Sequence, residues 1–307
     1  MAVKRGSQHR AVGILEASYG VTPATPAMKE LLLTRLRPGK GIGAIRSGQI
    51  RTHPFTDKMM RGRGTQDLEF GGELQHANYD DFLQMLAGQA WASNVLKIGD
   101  GLVGMTVESQ SGGSPALFDQ YTGYYINRCE VSISATEDAP IGVTFGGSAQ
   151  TSELDATTTL ATSVVPAAEK LPFVYGDGSV SIGGTSRAVT ACTFRVERTV
   201  DPIRVIGSYS DYEQVPGDVV ITGTLTIPYE NATDSARLEG FTDAAIVLRT
   251  ANVGGAVYLD WALHNAKYVS MSRPVDGRGA RMQDIEFEAY YNTAQATGLT
   301  ITRTAVV

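Results

Sequence analysis

The sequence predicts a mainly β protein built from two tandem copies of one module, with a short α-helix in each copy. Three observations support this prediction. Glycine is abundant, at 34 of 307 residues, and Thr, Ser and Val are frequent, a composition typical of many short strands and turns. Polar and apolar side chains alternate along residues 67–75, as in a strand with one buried face. The same order of features then recurs in the second half of the chain.

Composition excludes several protein classes. The chain is 42% hydrophobic and 19% charged, and its net charge of −6 argues against a protein built to grip nucleic acid. No apolar run approaches the roughly 18 residues of a membrane-spanning helix. The polar, basic residues 1–10 predict no secretory signal. The two cysteines, Cys129 and Cys192, form neither a disulfide framework nor a metal cluster.

The first half begins with an extended arm, residues 12–34, that leads into a strand near residues 30–36. Residues 38–64 are glycine-rich and basic without helical periodicity, which predicts a long irregular loop. After the alternating strand, Asn78 is a candidate N-cap and Gly88 a candidate stop for a short helix. Further strands are predicted near residues 102–109, 121–134 and 140–146.

The second half begins after a Thr/Ser/Ala-rich segment, residues 148–169, which is predicted to be a linker or an inserted loop. The predicted domains are therefore residues 1–147 and 170–307. A loop with two prolines is expected over 200–217, and a second short helix over 231–240. The predicted strands of this half lie near residues 192–199, 219–228, 245–250, 256–263, 265–273 and 282–291.

The internal repeat is the most informative feature. Asn127–Ser134 matches Asn265–Ser272 at the Asn, the Val and two Ser positions. The triplet Val-Thr-Phe at 143–145 matches Ile-Glu-Phe at 285–287, and a strand-to-helix unit bounded by glycines occurs in each half, at 72–88 and 223–240. The common order of these features favours duplication.

The search for catalytic motifs is negative. Residues 99–104 fit G-x-G-x-x-G, but an apparent strand follows rather than a helix, so a turn is the favoured interpretation. The sequence has no nucleophile elbow, phosphate-binding loop, histidine pair or cysteine pair with metal spacing. Asp80 and Asp81 fit the first turn of a helix, where the dipole favours them. Cys129 is expected to be a small buried hydrophobe. We therefore predict a protein that is not an enzyme and has no cofactor or metal.

Two acidic stripes stand out, one on the first alternating strand and one on the last strand of the second half. On strand geometry alone, the favoured interpretation is the solvated side of an amphipathic sheet. The alternative is a surface that faces a polyanion and repels it, so that DNA can pass without sticking. The acidic residues are Asp67, Glu69, Glu73, Asp284, Glu286 and Glu288.

The basic segment also has two interpretations. Between residues 35 and 64 there are eight Lys or Arg and one acid, Asp57. Nucleic-acid binding is one option, but Phe55 is the only aromatic residue there that could stack on a base. Docking onto an acidic neighbouring subunit fits the overall acidity of the chain better.

Several motifs of the first half resemble a known family. They are Glu-Ala-Ser-Tyr-Gly-Val-Thr-Pro-Ala-Thr-Pro at 16–26, Ile-Arg-Ser-Gly-Gln-Ile-Arg at 45–51, Gly-Gly-Glu-Leu at 71–74, Tyr-Asp-Asp-Phe-Leu-Gln-Met-Leu at 79–86 with Trp91, Tyr-Thr-Gly-Tyr-Tyr-Ile-Asn at 121–127, and Val-Thr-Phe-Gly-Gly at 143–147. With these motifs the chain resembles the major tail tube protein of long-tailed, siphovirus-type bacteriophages, in the group with a duplicated tube domain.

The resemblance implies a β-sandwich-like, barrel-forming tube fold. It implies trimeric rings with pseudo-sixfold symmetry, stacked into a tail tube that serves as the channel for genome ejection. Expected partners are further copies of the chain, a tape measure protein in the lumen, tail terminator and distal tail proteins, and DNA as cargo without sequence recognition. The protein is expected in the virion tail after assembly in the host cytoplasm, without binding membranes.

The resemblance also assigns roles to the two charged features. It makes the acidic stripes the favoured lining of the channel, and the basic segment a loop that docks onto the adjacent ring. The docking residues are Lys40, Arg46, Arg51, Lys58, Arg61 and Arg63. The alternatives are a baseplate or tail-tip ring or a decoration protein of the same fold, and then a soluble binding protein or hydrolase with an unrecognised site.

Overall fold

The computed structural model describes residues 4–136, 138–275 and 277–306. A 3₁₀ turn, Gly6–Gln8, precedes the first strand. The first half contains β1 (Arg10–Leu15), β2 (Ala27–Leu31), β3 (Arg35–Arg46), β4 (Met59–Glu73), α1 (Asp80–Ala87), β5 (Val95–Lys97), β6 (Met105–Ser111), β7 (Leu117–Ser134), β8 (Gly142–Ser148), β9 (Thr151–Ala156) and β10 (Ser163–Val165). The second half contains β11 (Val174–Ile182), β12 (Thr185–Arg187), β13 (Ala191–Ile203), β14 (Glu213–Pro228), α2 (Thr233–Glu239), β15 (Ala244–Ala251), β16 (Tyr258–Ser272), β17 (Met282–Tyr290) and β18 (Leu299–Arg303). The prediction of a mainly β fold with a short helix in each half is confirmed.

The centre of the fold is an antiparallel sheet of eight strands in the order β3-β4-β8-β7-β13-β14-β17-β16. The first four strands come from the first half and the last four from the second half. In each half, the second strand of a long hairpin (β4 or β14) pairs with the central strand that comes last in sequence (β8 or β17). That strand pairs in turn with the central strand that precedes it in sequence (β7 or β16). The two halves thus repeat one strand order, and β7 and β13 join them edge to edge.

The registers define which residues are equivalent. Phe145 on β8 pairs with Phe70 on one side and Cys129 on the other. Its counterpart, Phe287 on β17, pairs with Gly223 and Tyr268. The matches that the sequence predicted between 127–134 and 265–272, and between 143–145 and 285–287, therefore fall on equivalent strands. The first match is shifted, however, because the register makes Val131 equivalent to Met271 and not to Val269.

The remaining strands form a second layer around the N-terminal parts of β7 and β16. In the first half, β6 and β9 flank β7, and β1, β2 and β10 extend this layer. In the second half, β15 and β18 flank β16. One hydrophobic core runs between the layers through both halves. The rings of Phe70 and Phe82 meet edge to face at 5.3 Å in the first half, and those of Phe194 and Trp261 at 5.1 Å in the second.

The helix ends explain one difference from the sequence analysis. Gly88 ends α1 in the left-handed conformation, with φ of 68°, as predicted, but Asn78 does not cap this helix. The equivalent left-handed residue after α2 is Phe241, with φ of 47°, whereas Gly240 is still right-handed helical. Gly88 therefore corresponds to Phe241, and Gly240 lies one residue earlier. The glycine-bounded units at 72–88 and 223–240 are thus not equivalent residue by residue.

The expectation of an irregular basic loop over residues 38–64 is wrong. Strands β3 and β4 pair from Arg35–Gly71 to Arg46–Met59, leaving residues 47–58 as the tip of a long hairpin. The second half has an equivalent long hairpin, since β13 and β14 pair as far as Ile203 and Glu213. Most of β3 is exposed, so it lacks the apolar alternation that identifies a strand in sequence.

Three further segments differ from or refine the expectations. Residues 148–169 contain β9, which pairs with β7, and β10, which runs parallel to β2. The two strands expected at 256–273 are one continuous strand, β16. The glycine motif at 99–104 lies in the connection between β5 and β6, which bends at Asp100, and strand β6 follows it. Neither α1 nor α2 is long and apolar enough to cross a membrane.

Candidate functional site

One face of the eight-stranded sheet is polar, because alternate side chains point away from the core. The polar face carries more carboxylates than cations. The carboxylates are Asp67, Glu69, Glu73, Glu130, Glu197, Asp284, Glu286 and Glu288, and the cations are Arg35, Arg37, Arg128, Arg195 and Lys267. All six acidic residues singled out in the sequence lie on this polar face.

The acidic stripe on β4 is largely compensated by arginine. Glu69 accepts bonds from Arg35 at 2.7 Å and Arg128 at 2.8 Å, and Arg37 lies 3.6 Å away. Asp67 accepts a bond from the Ser148 hydroxyl at 2.7 Å. Glu69 is thus the centre of an ion-pair network.

Glu73, the third residue of this stripe, is half-buried beside the ring of Tyr79. Burial, and to a smaller extent the charge of Glu73, raises the pKa of the Tyr79 phenol. The neutral phenol donates a hydrogen bond to the Leu32 carbonyl at 2.6 Å. Glu73 thus lies at the end of the sheet next to α1.

The acidic stripe on β17 is more open. Asp284 accepts a bond from the Thr226 hydroxyl at 2.7 Å. Glu286 and Glu288 are exposed and form no ion pair with any residue that the structure describes. The two stripes are not repeats of each other, since β17 is equivalent to β8 and not to β4. The positions on β8 equivalent to the second stripe are Gly142, Thr144 and Gly146.

An open groove of about 920 Å³ crosses the polar face where the two halves meet. Its walls carry both signs of charge, including Arg37, Glu69, Arg128, Glu197 and Asp201. The groove therefore mixes charges of opposite sign and does not present a single sign. No cluster of His, Cys, Asp or Glu suited to a metal ion occurs among the described residues.

The two cysteines are buried in the core, as the sequence predicted for Cys129. Burial raises the pKa of the Cys192 thiol to about 12 and that of Cys129 further. Both side chains therefore stay protonated and unreactive at neutral pH.

The six basic residues predicted to dock onto a neighbour are spread along the β3–β4 hairpin. Lys40 donates to the Ser152 carbonyl at 2.9 Å, and Arg51 pairs with Asp57 at 2.5 Å. Arg46 and Lys58 are exposed near the tip. Arg61 and Arg63 instead turn towards the other hairpin.

Exposed apolar side chains at both hairpin tips were missed by the sequence analysis. The tips and the strand ends beside them carry Ile42, Ile45, Ile50, Phe55, Met59 and Met60 on one hairpin and Ile203, Val205, Ile206, Tyr209, Tyr212 and Val215 on the other. Apolar residues scattered among basic ones without a period were the only sequence signal. Exposed apolar surface of this extent is typical of a protein interface.

A buried carboxylate connects the two tips. Asp211 pairs with Arg63 from the other hairpin and accepts a bond from Gln214 at 2.9 Å. Gln150, which follows β8, donates to the Asp211 carbonyl at 2.9 Å, and Arg61 lies 5.4 Å from the centre of the Tyr209 ring. The tips therefore form one connected surface.

The eight-stranded sheet has two open edges. β3 pairs only with β4 among the described strands. Residues 267–272 of β16 pair with β17 on one side and, within the described chain, with no strand on the other. An open edge is a template for pairing with another chain.

Comparison with known proteins identifies the family. The family model described as "Phage tail tube protein" matches residues 6–289. No curated protein matches the chain. Among solved structures, a chain from the cryo-EM structure of the anti-feeding prophage cap (AFP tube terminating cap) matches with 16% identity and a TM-score of 0.36 over 45% of this chain and 95% of that one.

The sequence-based prediction of the family is thereby confirmed. Because the family model extends over nearly the whole chain, the protein belongs to the phage tail tube protein family and is a structural component of the phage tail.

Proposed function

We propose that the chain assembles with copies of itself into closed rings, and that these rings stack into a tube through which the phage genome is ejected. The single observation that carries this proposal is the edge-to-edge pairing of β7 and β13 within one chain. This pairing joins the four-stranded sheet of one module to the equivalent sheet of the other, and it can be repeated between chains.

The equivalence of strands specifies the contact between chains. β13 holds the place in the second module that β3 holds in the first, and β16 corresponds to β7. Repeating the β7–β13 contact therefore brings β3 of the next chain against the open edge of β16. Both open edges are then paired, which removes the exposed strands that would otherwise cause uncontrolled association.

The internal pairing also predicts the register. Within the chain, Phe194 faces Val131 and Glu197 faces Arg128. Translating these pairs to the equivalent strands sets Leu36 of one chain opposite Met271 of the next. The same translation sets Gly39 opposite Lys267.

Three chains supply six modules, and we propose a trimeric ring with pseudo-sixfold symmetry. The polar face of the sheet then lines the lumen, with DNA as passing cargo and a tape measure protein occupying the lumen before ejection. The connected hairpin tips, basic and apolar, dock onto the adjacent ring. Tail terminator and distal tail proteins cap the two ends, and assembly takes place in the host cytoplasm before incorporation into the virion.

Disulfide trapping tests the contact between chains. The double variant with Gly39→Cys and Lys267→Cys forms disulfide-linked dimers and trimers on mild oxidation, because residues directly opposite on antiparallel strands lie within disulfide range. Gly39 accepts a side chain, since the nearest atom to an added Cβ is the Asp67 carbonyl oxygen at 3.4 Å. Cys129 and Cys192 are buried and do not compete.

The two single-cysteine variants are the controls and give no ladder of linked chains. Negative-stain microscopy of the same samples is expected to show rings or tubes with a central hole. A wild-type protein that stays monomeric at high concentration would contradict the proposal. Rings that never polymerise would favour a baseplate or tail-tip ring instead.

A further inference from the structure

We propose that Glu286 and Asp284 stabilise the contact between adjoining chains by pairing with Arg37 and Arg35 of the next copy. This inference rests on the ring contact proposed above and names the charged groups that determine its partner and register. It gives two carboxylates of the β17 stripe a role in assembly, in addition to their place on the polar face.

An ion pair inside the chain shows that the required geometry is attainable. Arg128 on β7 reaches Glu69 on β4 at 2.8 Å, although β8 lies between these two strands. The residue of β8 that pairs with both of them, and so lies between them, is Gly146, which has no side chain. Arginine and glutamate thus span two strand spacings, roughly 9.5 Å, when the residue between them is small.

The proposed contact aligns two further sets of residues across three adjacent strands, and each set is called a row. In both rows a small residue again lies between an arginine and a carboxylate. The β7–β13 register, translated to the equivalent strands, sets Arg37 of the next chain opposite Ser270, and Ser270 pairs with Glu286. In the adjacent row on the same face, Arg35 falls opposite Ser272, and Ser272 pairs with Asp284. Each row therefore reads arginine, serine, carboxylate.

The charged groups of the first row are available for this pairing. The Arg37 side chain is 66% exposed and lies 3.6 Å from Glu69, whose oxygens already accept closer bonds from Arg35 and Arg128. Glu286 is exposed and has no ion pair within the described chain. Ring closure brings the unpaired Glu286 towards the most exposed and most distant of the three arginines around Glu69.

The same rows discriminate against one shifted register. Lys267 lies three residues before Ser270 and five before Ser272 on β16, and in the proposed register it faces Gly39, which presents no charge. If β3 of the next chain were shifted by one position of the same face towards the N-terminal end of β16, Arg37 would lie opposite Lys267. Like charges directly opposite each other are unfavourable. Charge placement therefore favours the in-register ring.

Charge reversal with rescue tests the pair. Arg37→Glu and Glu286→Arg are prepared separately and together, and the protomer concentration at half assembly is measured by analytical ultracentrifugation at low salt. Each single reversal is expected to raise that concentration at least about tenfold, and the double variant to return it to within about threefold of the wild type. Added salt is expected to weaken wild-type assembly and to have less effect on Glu286→Gln.

Glu153→Arg is the matched control, because it makes the same charge change on exposed β9 and is expected to leave assembly unchanged. Circular dichroism and thermal unfolding of each monomer establish that the variants fold. Single reversals that assemble like the wild type, or a double variant no better than either single, would overturn the inference. Either result is distinct from failure of the ring proposal, in which the wild type itself does not assemble and Gly39→Cys with Lys267→Cys does not cross-link.

Discussion

At the scale of single residues, the duplicated modules use equivalent positions differently. Asp234, in the first turn of α2, is fully buried and bound by Arg187 at 2.8 Å and Gln283 at 3.0 Å, with Arg237 at 3.6 Å. The equivalent Asp81 in α1 pairs at 2.6 Å with Lys29, whose side chain is mostly exposed. The helix dipole favours an acid at both positions, but Asp234 pairs with arginines that are largely shielded from solvent, whereas the partner of Asp81 is not.

Asp234→Asn is therefore expected to lower the free energy of unfolding by about 3 kcal/mol, because it leaves two poorly hydrated arginines without a counter-charge. Asp81→Asn is the control and should cost less than about 1 kcal/mol, as for other exposed pairs. Urea unfolding of the unassembled protein, followed by circular dichroism, measures both values. Equal losses of unfolding free energy for the two variants would show that the buried network stabilises the fold no more than the exposed pair does.

At the scale of elements, the long hairpins combine two tasks. The strand segments far from the tips form part of the central sheet, and the tips present basic and apolar side chains to solvent. Asp211 and Arg63 connect the tips, so that the surface offered by one chain is a single unit. We expect this unit to provide the contact between stacked rings, because exposed apolar groups beside charges are typical of protein interfaces.

Replacing residues 47–58 by an Asn-Gly turn is expected to give folded rings that no longer stack. A two-residue turn closes an antiparallel hairpin, so the paired parts of β3 and β4 are retained. Electron microscopy distinguishes single rings from tubes, and an equivalent shortening of the exposed loop between β15 and β16 serves as the control. Long tubes formed by the shortened hairpin would contradict the docking role.

At the scale of the whole molecule, the polar face is the proposed lining of the tube, and its charge would then determine how an assembled tube interacts with DNA. Carboxylates outnumber cations there, and arginines compensate Glu69 within the chain. The remaining negative potential repels phosphates, which limits the counterion release that drives binding to DNA. A lumen of this kind lets a polyanion pass without holding it.

Tubes assembled from a variant with Asp67→Lys and Glu288→Lys are expected to retain short duplex DNA in co-sedimentation at low salt, unlike the wild type. Neither residue belongs to the two rows proposed to join the chains, but Glu288 lies opposite Lys267 on β16, so electron microscopy first establishes that the variant forms tubes. Tubes with Glu153→Lys and Glu169→Lys carry the same charge change on exposed positions away from this face, and should not retain DNA in their lumen. Retention that is equal in both sets of tubes would show that the polar face is not the lining.

Sequence alone determined those features that depend on local order. The alternation on β4 predicted a strand, Gly88 predicted the end of α1, and the matched segments predicted that β7 and β8 recur as β16 and β17. Short-range periodicity contains this information, because side-chain direction in a strand or helix repeats every 2 or 3.6 residues. Family motifs added the tail tube assignment.

Tertiary structure decided what depends on pairing between distant segments. β3 is a strand because β4 pairs with it, and its exposed, glycine-rich residues carry no apolar period of their own. Glu69 is neutralised by arginines 34 and 59 residues away along the chain. The β7–β13 contact, which supplies the model for ring assembly, joins backbones whose hydrogen bonds are the same for any side chain, so only the folded chain reveals which edges meet.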